Sequence, residues 1–342
     1  MWVVTDVSAI LVTGGAGYVG SHTVRALAES DKTVVILDDL SEGHVAAAGN
    51  VEILQADLAA PETTGTLDEL FARERFDAVL HFGAKAYVGE SVKDPEKYYR
   101  NNVSGGVQLL SAMARHAVPA IIFSSTCATY GTPERVPIDE DHPQHPISPY
   151  GRTKLVFEWA LQDFEAAHGI RHVNLRYFNA AGAHESGEIG EDHRPETHLI
   201  PLVCEAATGG LDKLDGLSVF GDDYDTPDGT CIRDYVHVQD LADAHVLALE
   251  YLDASGDSTS FNLGTGTGHS VLEVIETVKR VSGRDVPYKI APRREGDPSR
   301  LVATSEKIKN VLGWQPRFDS LERIVETAWA FKQRFPDGYP RA

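Results

Sequence analysis

Tyr150 and Lys154 stand four residues apart in Tyr150-Gly151-Arg152-Thr153-Lys154, a spacing that could turn a phenol into a general base. A tyrosine serves as a base near neutral pH only if its pKa, ordinarily about 10, is lowered. A cation held close by favours the phenolate and does this. Pro149 precedes the pair, and proline readily opens a helix, so positions i and i+4 would share one face of its first turns. Chance produces this spacing often, so its meaning rests on the elements around it.

Those elements begin with a run of alternating types. From Ala9 to about Asn179, short β-branched runs alternate with helical stretches: Ile10 to Thr13, Thr33 to Leu37, Val51 to Leu54, Ala78 to Phe82, Ala120 to Ser124 and His172 to Arg176. That alternation predicts a parallel sheet with helices on both faces, the Rossmann-type doubly wound α/β arrangement. The fifth run continues through Ser125 to Thr126, at the carboxyl edge of the sheet where α/β sites form.

The turn after the first run, Thr13-Gly14-Gly15-Ala16-Gly17-Tyr18-Val19-Gly20, places glycines at Gly14, Gly17 and Gly20. A pyrophosphate seated on a helix N-terminus needs backbone N–H groups with no side chain in the way, together with close packing of helix on sheet. The second run ends in Leu37-Asp38-Asp39, where a carboxylate would accept hydrogen bonds from an adenosine ribose and repel a 2′-phosphate. Asp38 is the candidate, and with no arginine close behind it NAD is favoured over NADP. Asp57-Leu58, after the third run, is placed to cap the adenine edge; an Asx turn is the alternative.

Beyond Asn179 the pattern changes. Ala181 to Glu196 is rich in Gly, His and Glu without periodicity and reads as a loop. A helix at Ile200 to Thr208, a strand at Leu217 to Phe220, an acidic loop from Gly221 to Gly229 and helices near Val271 to Val281, Ser305 to Leu312 and Ser320 to Phe335 make a second, mixed α/β region. Val238 to Leu252 reads as an amphipathic helix, and Ser260 to Leu263 as a strand able to return to the first sheet.

The 342 residues, 42% of them hydrophobic, suffice for two lobes, and the net charge of −20 argues against a nucleic-acid surface. Any anionic ligand must then be held by a few local cations. No apolar run is long enough to span a bilayer and Met1 to Asp6 has no signal-peptide character, so no membrane partner and a cytoplasmic location are expected. Cys127, Cys204 and Cys231 have no metal-ligand spacing and the 14 histidines look scattered, so no metal and no disulfide are expected.

The Thr-Gly-x-x-Gly-x-x-Gly turn, the Ser or Thr after the fifth strand and Tyr-x-x-x-Lys together resemble the extended short-chain dehydrogenase/reductase family. Four further segments, Ser124 to Gly131, Leu175 to Asn179, Arg233 to Val238 and Arg293 to Asp297, are similar in sequence and order to the UDP-sugar 4-epimerases within it. The resemblance runs from about residue 9 to Tyr339. It implies NAD-dependent inversion at carbon 4 of a UDP-hexose, interconverting UDP-galactose and UDP-glucose through a 4-keto intermediate, with UDP-N-acetylhexosamines as further substrates. It also implies a homodimer, with Pro95 to Arg115 and the helix beginning at Tyr150 pairing through Leu155, Trp159 and Phe164.

By that resemblance Thr126 and Tyr150 contact the sugar's 4-hydroxyl, while Lys154 holds the nicotinamide ribose and tunes Tyr150. The implied cofactor set is Gly14, Gly17, Tyr18, Val19, Gly20, Asp38, Asp39, Asp57, Leu58, Phe82, Asn101, Lys154 and Phe178. For the nucleotide sugar it is Asn179, Leu199, Phe220, Arg233, Arg294 and Asp297, with Leu301 as a gate for the sugar's 2-substituent. Residues 1–178 with 234–266 would then form the NAD-binding domain, and 179–233 with 267–342 a smaller UDP-sugar-binding domain. Lys85 sits one place earlier than in some members, and His198 stands where some have Asn, so neither receives a role.

Two rival readings differ in specific residues. Related nucleotide-sugar 4,6-dehydratases carry Asp-Glu after the fifth strand's Ser or Thr, whereas this chain has Cys127-Ala128. A non-catalytic NAD-binding regulator would have no use for Thr126, Tyr150 and Lys154 together.

Overall fold

The computed structural model of the chain describes residues 9–30, 32–210, 216–294 and 296–340. The first stretch folds as β1 (Ala9–Thr13), α1 (Tyr18–Glu29), β2 (Thr33–Asp38), β3 (Glu52–Gln55), α2 (Thr63–Arg73), β4 (Phe76–His81), α3 (Val88–Lys93) and α4 (Pro95–Tyr98). A π-helical segment, Tyr99–Gly105, then runs into α5 (Gly106–Arg115). The chain continues through β5 (Ala120–Thr126), a 3-10 turn at Cys127–Thr129, α6 (Pro149–His168) and β6 (Arg171–Tyr177). All six sequence-predicted strands are present; β1, β4 and β5 are buried almost throughout, the environment that apolar runs of a parallel sheet require.

The remainder follows as β7 (Asn179–Ala181), α7 (Leu199–Ala207), β8 (Leu217–Phe220), β9 (Ile232–His237), α8 (Val238–Asp253) and β10 (Thr259–Leu263). After these come β11 (Gly268–Ser270), α9 (Val271–Ser282), β12 (Tyr288–Ala291), β13 (Arg300–Leu301), α10 (Glu306–Leu312) and α11 (Leu321–Arg334).

Among the described residues the large sheet has seven strands in the order β10-β6-β5-β4-β1-β2-β3. The pairs β1/β2, β1/β4, β2/β3 and β4/β5 are parallel. The order reverses at β1, which lies between β2 and β4, and the crevice of such a reversal is where open α/β sheets receive ligands. One apolar layer packs Leu11, Val79, Ile121 and Phe123 from the strands against Leu70, Leu109, Met113, Phe157 and Leu161 from α2, α5 and α6. β10 supplies the seventh strand at one edge, as its sequence allowed.

The chain divides into two compact units. The first runs to Gly131 and takes in Pro143–Arg176 and Ala242–Phe261; the second is Thr132–His142, Tyr177–Leu241 and the chain from Asn262 onward. The expected boundaries had left 132–142, 177–178, 234–241 and 262–266 with the first region. In the second unit Ile138 bridges Ala303, and the Asn262 side chain donates to the Ile138 carbonyl at 3.1 Å.

Within the second unit β9 is central: β7 pairs with it in parallel, β13 in parallel and β11 antiparallel. β8 and β12 form a separate parallel pair. Its core joins Val203 and Cys204 of α7 to Val274, Ile275 and Val278 of α9 and Ile324, Val325 and Trp329 of α11. The segment from Ala181 to Glu196 is irregular after β7, as expected.

Candidate active site

The base-bearing helix starts where its sequence says. Ser148 caps α6 by accepting the Gly151 N–H at 3.1 Å, and Pro149 takes the first helical position. Tyr150 thereby falls in the first turn, with the edge of the buried Tyr98 ring against it at 6.5 Å between centroids. One turn on, the Lys154 side chain is buried, and its Nζ donates to the Ser124 carbonyl at 2.8 Å. The same ammonium lies 4.8 Å from the Phe123 ring centroid and 5.9 Å from that of Tyr150. Burial pulls the Lys154 pKa down to about 7, against an opposing pull from Glu158.

Thr126, the last residue of β5, is buried, and its hydroxyl accepts the Ala128 N–H at 3.1 Å, turning the chain into the 3-10 segment. Thr126, Tyr150 and Lys154 thus belong to one unit, on β5 and the helix packed beside it.

A buried polar network fixes α6 against the sheet. Glu158, one turn beyond Lys154, accepts from the Ser125 hydroxyl at 2.6 Å and forms a two-point pair with Arg176 of β6, at 3.0 and 2.6 Å. Arg176 also donates to the Tyr130 hydroxyl at 3.0 Å. Asn102 donates to the Lys85 carbonyl and to the Thr153 hydroxyl, both at 3.0 Å. Sequence reasoning missed Glu158 and Asn102. The signal available was Glu158 lying eight residues after Tyr150, on the same helix face as the catalytic pair.

The cofactor cradle is built by the β1–α1 turn. Gly14 has φ +70°, and a Cβ on it would sit 2.6 Å from the Gly83 nitrogen; on Gly20 it would sit 2.1 Å from the Gly14 carbonyl oxygen. Gly17 differs: a Cβ there would meet only the Gly14 oxygen, at 3.3 Å. Internal packing explains the first two glycines and explains the third far less, which fits a ligand approaching from outside. Gly17 is the N-cap of α1 without a side-chain cap, and the first turn carries no acid, so the N–H groups suit an anion. Tyr18 and Val19 open that helix, partly exposed.

Asp38 ends β2, its carboxylate accepting the Ala16 N–H at 2.9 Å and the Leu40 N–H at 2.8 Å. Burial raises its pKa above the ordinary carboxylate value despite these bonds. Asp39 pairs with Lys85 at 3.4 Å. Burial works against its charge, yet the Ser41 hydroxyl and N–H, with Lys85, hold its pKa below the usual value. Lys85, left without a role by its shifted position, thus neutralises the second acid beside the ribose candidate and also donates from Nζ to Ser41. Asp57 accepts the Ala59 N–H at 2.8 Å, an Asx turn. Leu58 is buried beside Gly105 of the π-helical segment. Asn101, in that segment, accepts the Lys85 N–H at 3.2 Å, and the Phe82 ring lies tilted against His245 at 4.6 Å between centroids. Phe178 belongs to the second unit, where its N–H donates to the Leu263 carbonyl at 3.2 Å.

In the second unit, Arg233 on β9 pairs with Asp297. Arg294 lies over the Phe220 ring at 3.9 Å, and among the described residues no carboxylate pairs with it. Arg293 is instead committed to Asp223 at 2.6 Å and to the Tyr224 ring at 4.2 Å. Tyr224, Arg293, Arg294, Asp297 and Pro298 help line a concavity of about 420 Å³. Leu301 is half-buried on β13 and sits opposite Arg233 in register. Asn179 opens β7 opposite Tyr235, and Leu199 is the first residue of α7. The second unit also gathers Glu191, His193, Glu196 and His198, bringing together two histidines of a set that looks scattered in sequence.

The sheet order, the glycine turn and the Tyr150–Lys154 pair define a nucleotide-dependent oxidoreductase-type scaffold, and the comparisons narrow it. The pattern of the NAD dependent epimerase/dehydratase family matches residues 10–264, and the chain belongs to that family. A UDP-glucose 4-epimerase of Halalkalibacterium halodurans is 51% identical over 97% of this chain and 97% of its own length. The crystal structure of UDP-glucose 4-epimerase from Brucella ovis, in complex with NAD, superposes with a TM-score of 0.90 at 49% identity, covering 94% of this chain and 97% of that one. The UDP-Glc/GlcNAc 4-epimerase of Campylobacter jejuni gives a TM-score of 0.81 at 44% identity, covering 96% and 99%.

Proposed function

We propose that this chain is an NAD-dependent isomerase that inverts carbon 4 of a UDP-hexose, interconverting UDP-galactose and UDP-glucose. The observation that carries this is the phenol of Tyr150 one turn from a buried ammonium that is itself anchored to the Ser124 carbonyl. When bound, NAD supplies a hydride acceptor and, once reduced, the donor that returns the hydride. Gly14, Gly17, Tyr18, Val19, Gly20 and Asp38 would hold it, with Asp39, Asp57, Leu58, Phe82, Asn101 and Lys154 completing the set within the first unit.

Tyr150 takes the proton of the sugar's 4-hydroxyl, with the Thr126 hydroxyl in the hydrogen-bond line. Loss of hydride from carbon 4 leaves a 4-keto sugar. Arg294, over the Phe220 ring, offers its guanidinium to the diphosphate. Arg233 with Asp297, and Asn179 and Leu199, complete the set of nucleotide-sugar contacts. A substrate held by its UDP leaves the hexose able to turn and present its other face, after which Tyr150 returns the proton. Cys127 and Ala128 occupy the 3-10 turn where an elimination would need an acid and a base, so dehydration is not favoured; a silent regulator would not bury a lysine beside a tyrosine.

The test is turnover of UDP-galactose by the purified chain, coupled to oxidation of the UDP-glucose formed, together with mass spectrometry of ligands released on denaturation. UDP-glucose formation with bound NAD is expected. Loss of UDP-galactose without UDP-glucose, or no turnover by an NAD-loaded protein, would overturn the reading.

The first unit is assigned to the cofactor and the second to the UDP-sugar. A homodimer through α5 and α6 fits two features of the first unit: Trp159 is 54% exposed, and Ser111, Ala114, Phe164 and His168 line a mainly apolar concavity of about 350 Å³. Leu155, expected on this face, is buried in its own chain instead, because it falls on the core stripe of α6. A dimeric mass by light scattering at micromolar concentration is expected; a monomeric mass would remove the proposal. A role in galactose metabolism follows from the reaction. Cytoplasmic residence accords with three free thiols, and no helix among the described residues is long and apolar enough to cross a membrane.

A further inference from the structure

We propose that Glu191, His193, Glu196 and His198 form a structural binding site for one zinc-class divalent cation. One ligand atom from each residue lies within 4.8 Å of all the others. Nδ1 of His198 stands 2.8 Å from Glu191 Oε1 and 2.9 Å from Glu196 Oε1; Nδ1 of His193 stands 3.2 Å from Glu191 Oε1 and 3.6 Å from Glu196 Oε2. Both imidazoles therefore turn the same nitrogen toward the same two carboxylates. Ligands at about 2.0–2.2 Å from a tetrahedral ion lie roughly 3.3–3.6 Å apart, so the quartet needs only small side-chain adjustments to close on a central ion.

The donor set selects the class of ion. Calcium and magnesium take oxygen ligands and higher coordination numbers, whereas two imidazoles with two carboxylates suit zinc. Two carboxylates and two neutral imidazoles carry a charge of −2, which a divalent cation cancels. Four protein ligands leave no open position, so the role is structural rather than catalytic.

The loop is already shaped to hold them. Glu-x-His-x-x-Glu-x-His alternates the four donors with residues committed elsewhere. Asp192 accepts the Tyr339 N–H at 2.8 Å, and Arg194 reaches Asp192 and the Asp337 carbonyl, both at 3.2 Å. The Gly190 N–H donates to the Tyr339 hydroxyl at 2.9 Å. These bonds fix the backbone to the C-terminal segment, and the Glu191 side chain is only 6% exposed. A bound ion would pin the four donors to one another, immediately before Leu199 opens α7.

The full-length protein, stripped with chelator and dialysed, is titrated with Zn²⁺ in competition with a chromophoric chelator, and separately with Co²⁺ while the visible spectrum is read. One Zn²⁺ per chain and the intense visible bands of tetrahedral Co²⁺ are expected. Because changes outside the ligand shell alone weaken metal sites by about 10–100-fold, loss of a ligand in His193→Gln or His198→Asn should weaken binding by more than about 100-fold. His198 is 42% exposed, so His198→Asn is the variant that keeps the fold if His193→Gln does not, with circular dichroism as the check. Substoichiometric zinc in the parent protein, an octahedral Co²⁺ spectrum, or unchanged affinity in folded His198→Asn would each overturn the proposal and leave the quartet as a set of His–Glu ion pairs.

Discussion

The Lys154 ammonium is bonded to the Ser124 carbonyl at 2.8 Å rather than to the Tyr150 phenol, whose ring centroid is 5.9 Å away. The lysine is therefore aimed by β5, and it acts on the phenol through space. An electrostatic influence of this kind needs no proton shared between the two side chains.

Tyr150→Phe removes the base and little packing. We expect epimerisation to fall by at least about 10²-fold to 10⁴-fold, the usual share of general acid–base catalysis, with NAD retained. Steady-state kinetics with mass spectrometry of the bound ligand measures both; activity within a few-fold of the parent would remove Tyr150 from the mechanism.

Lys154 makes stability depend on pH. Its pKa is about 7 when folded, against 10.5 ordinarily, so between these values the unfolded chain binds the extra proton. Stability of the cofactor-free protein should rise with pH through that window, with the full penalty for the buried charge present below about 7. The slope from one proton is at most about 1.4 kcal/mol per pH unit. Urea unfolding of the parent and Lys154→Met across the window isolates the contribution, since every other titrating group cancels between the two. Identical slopes would refute it.

Asp38→Ala should weaken NAD binding and narrow the preference over NADP, because the carboxylate both accepts from the ribose and repels a phosphate. The same change removes the acceptor for the Ala16 and Leu40 N–H groups, so some loss of stability is expected as well. Titration of cofactor-free protein with each dinucleotide separates the effects: an unchanged NAD to NADP ratio would make Asp38 structural.

Leu301→Tyr should cut kcat/KM for UDP-N-acetylglucosamine at least about tenfold more than for UDP-galactose, by filling the space an acetamido group needs. The register of Leu301 with Arg233 places it beside a candidate nucleotide ligand, which motivates the gate. Equal losses on both substrates would instead mean that Leu301 only packs β13.

The parts legible in the sequence share a physical cause. Strands β1, β4 and β5 are buried almost throughout and so are written as largely apolar runs, while the glycine turn and Pro149 impose backbone geometry that few residues tolerate. β9 and β13 were missed because Ile232–His237 mixes charged and apolar residues and Arg300–Leu301 is two residues long. The Glu158–Arg176 pair joins residues 18 apart, a separation that no local pattern reports. Leu155 was misplaced because α6 is apolar on more than one stripe, and only the packing decides which stripe faces inward.

Helix α6 is keyed to the first unit at three places: by Thr153, which accepts from Asn102, by Lys154 on the Ser124 carbonyl, and by Glu158 on Ser125 and Arg176 a turn deeper. A rod held at three stations along its length can neither spin nor slide. Each station backs up the others, so wear at any one of them would blunt the aim of the phenol without setting it adrift.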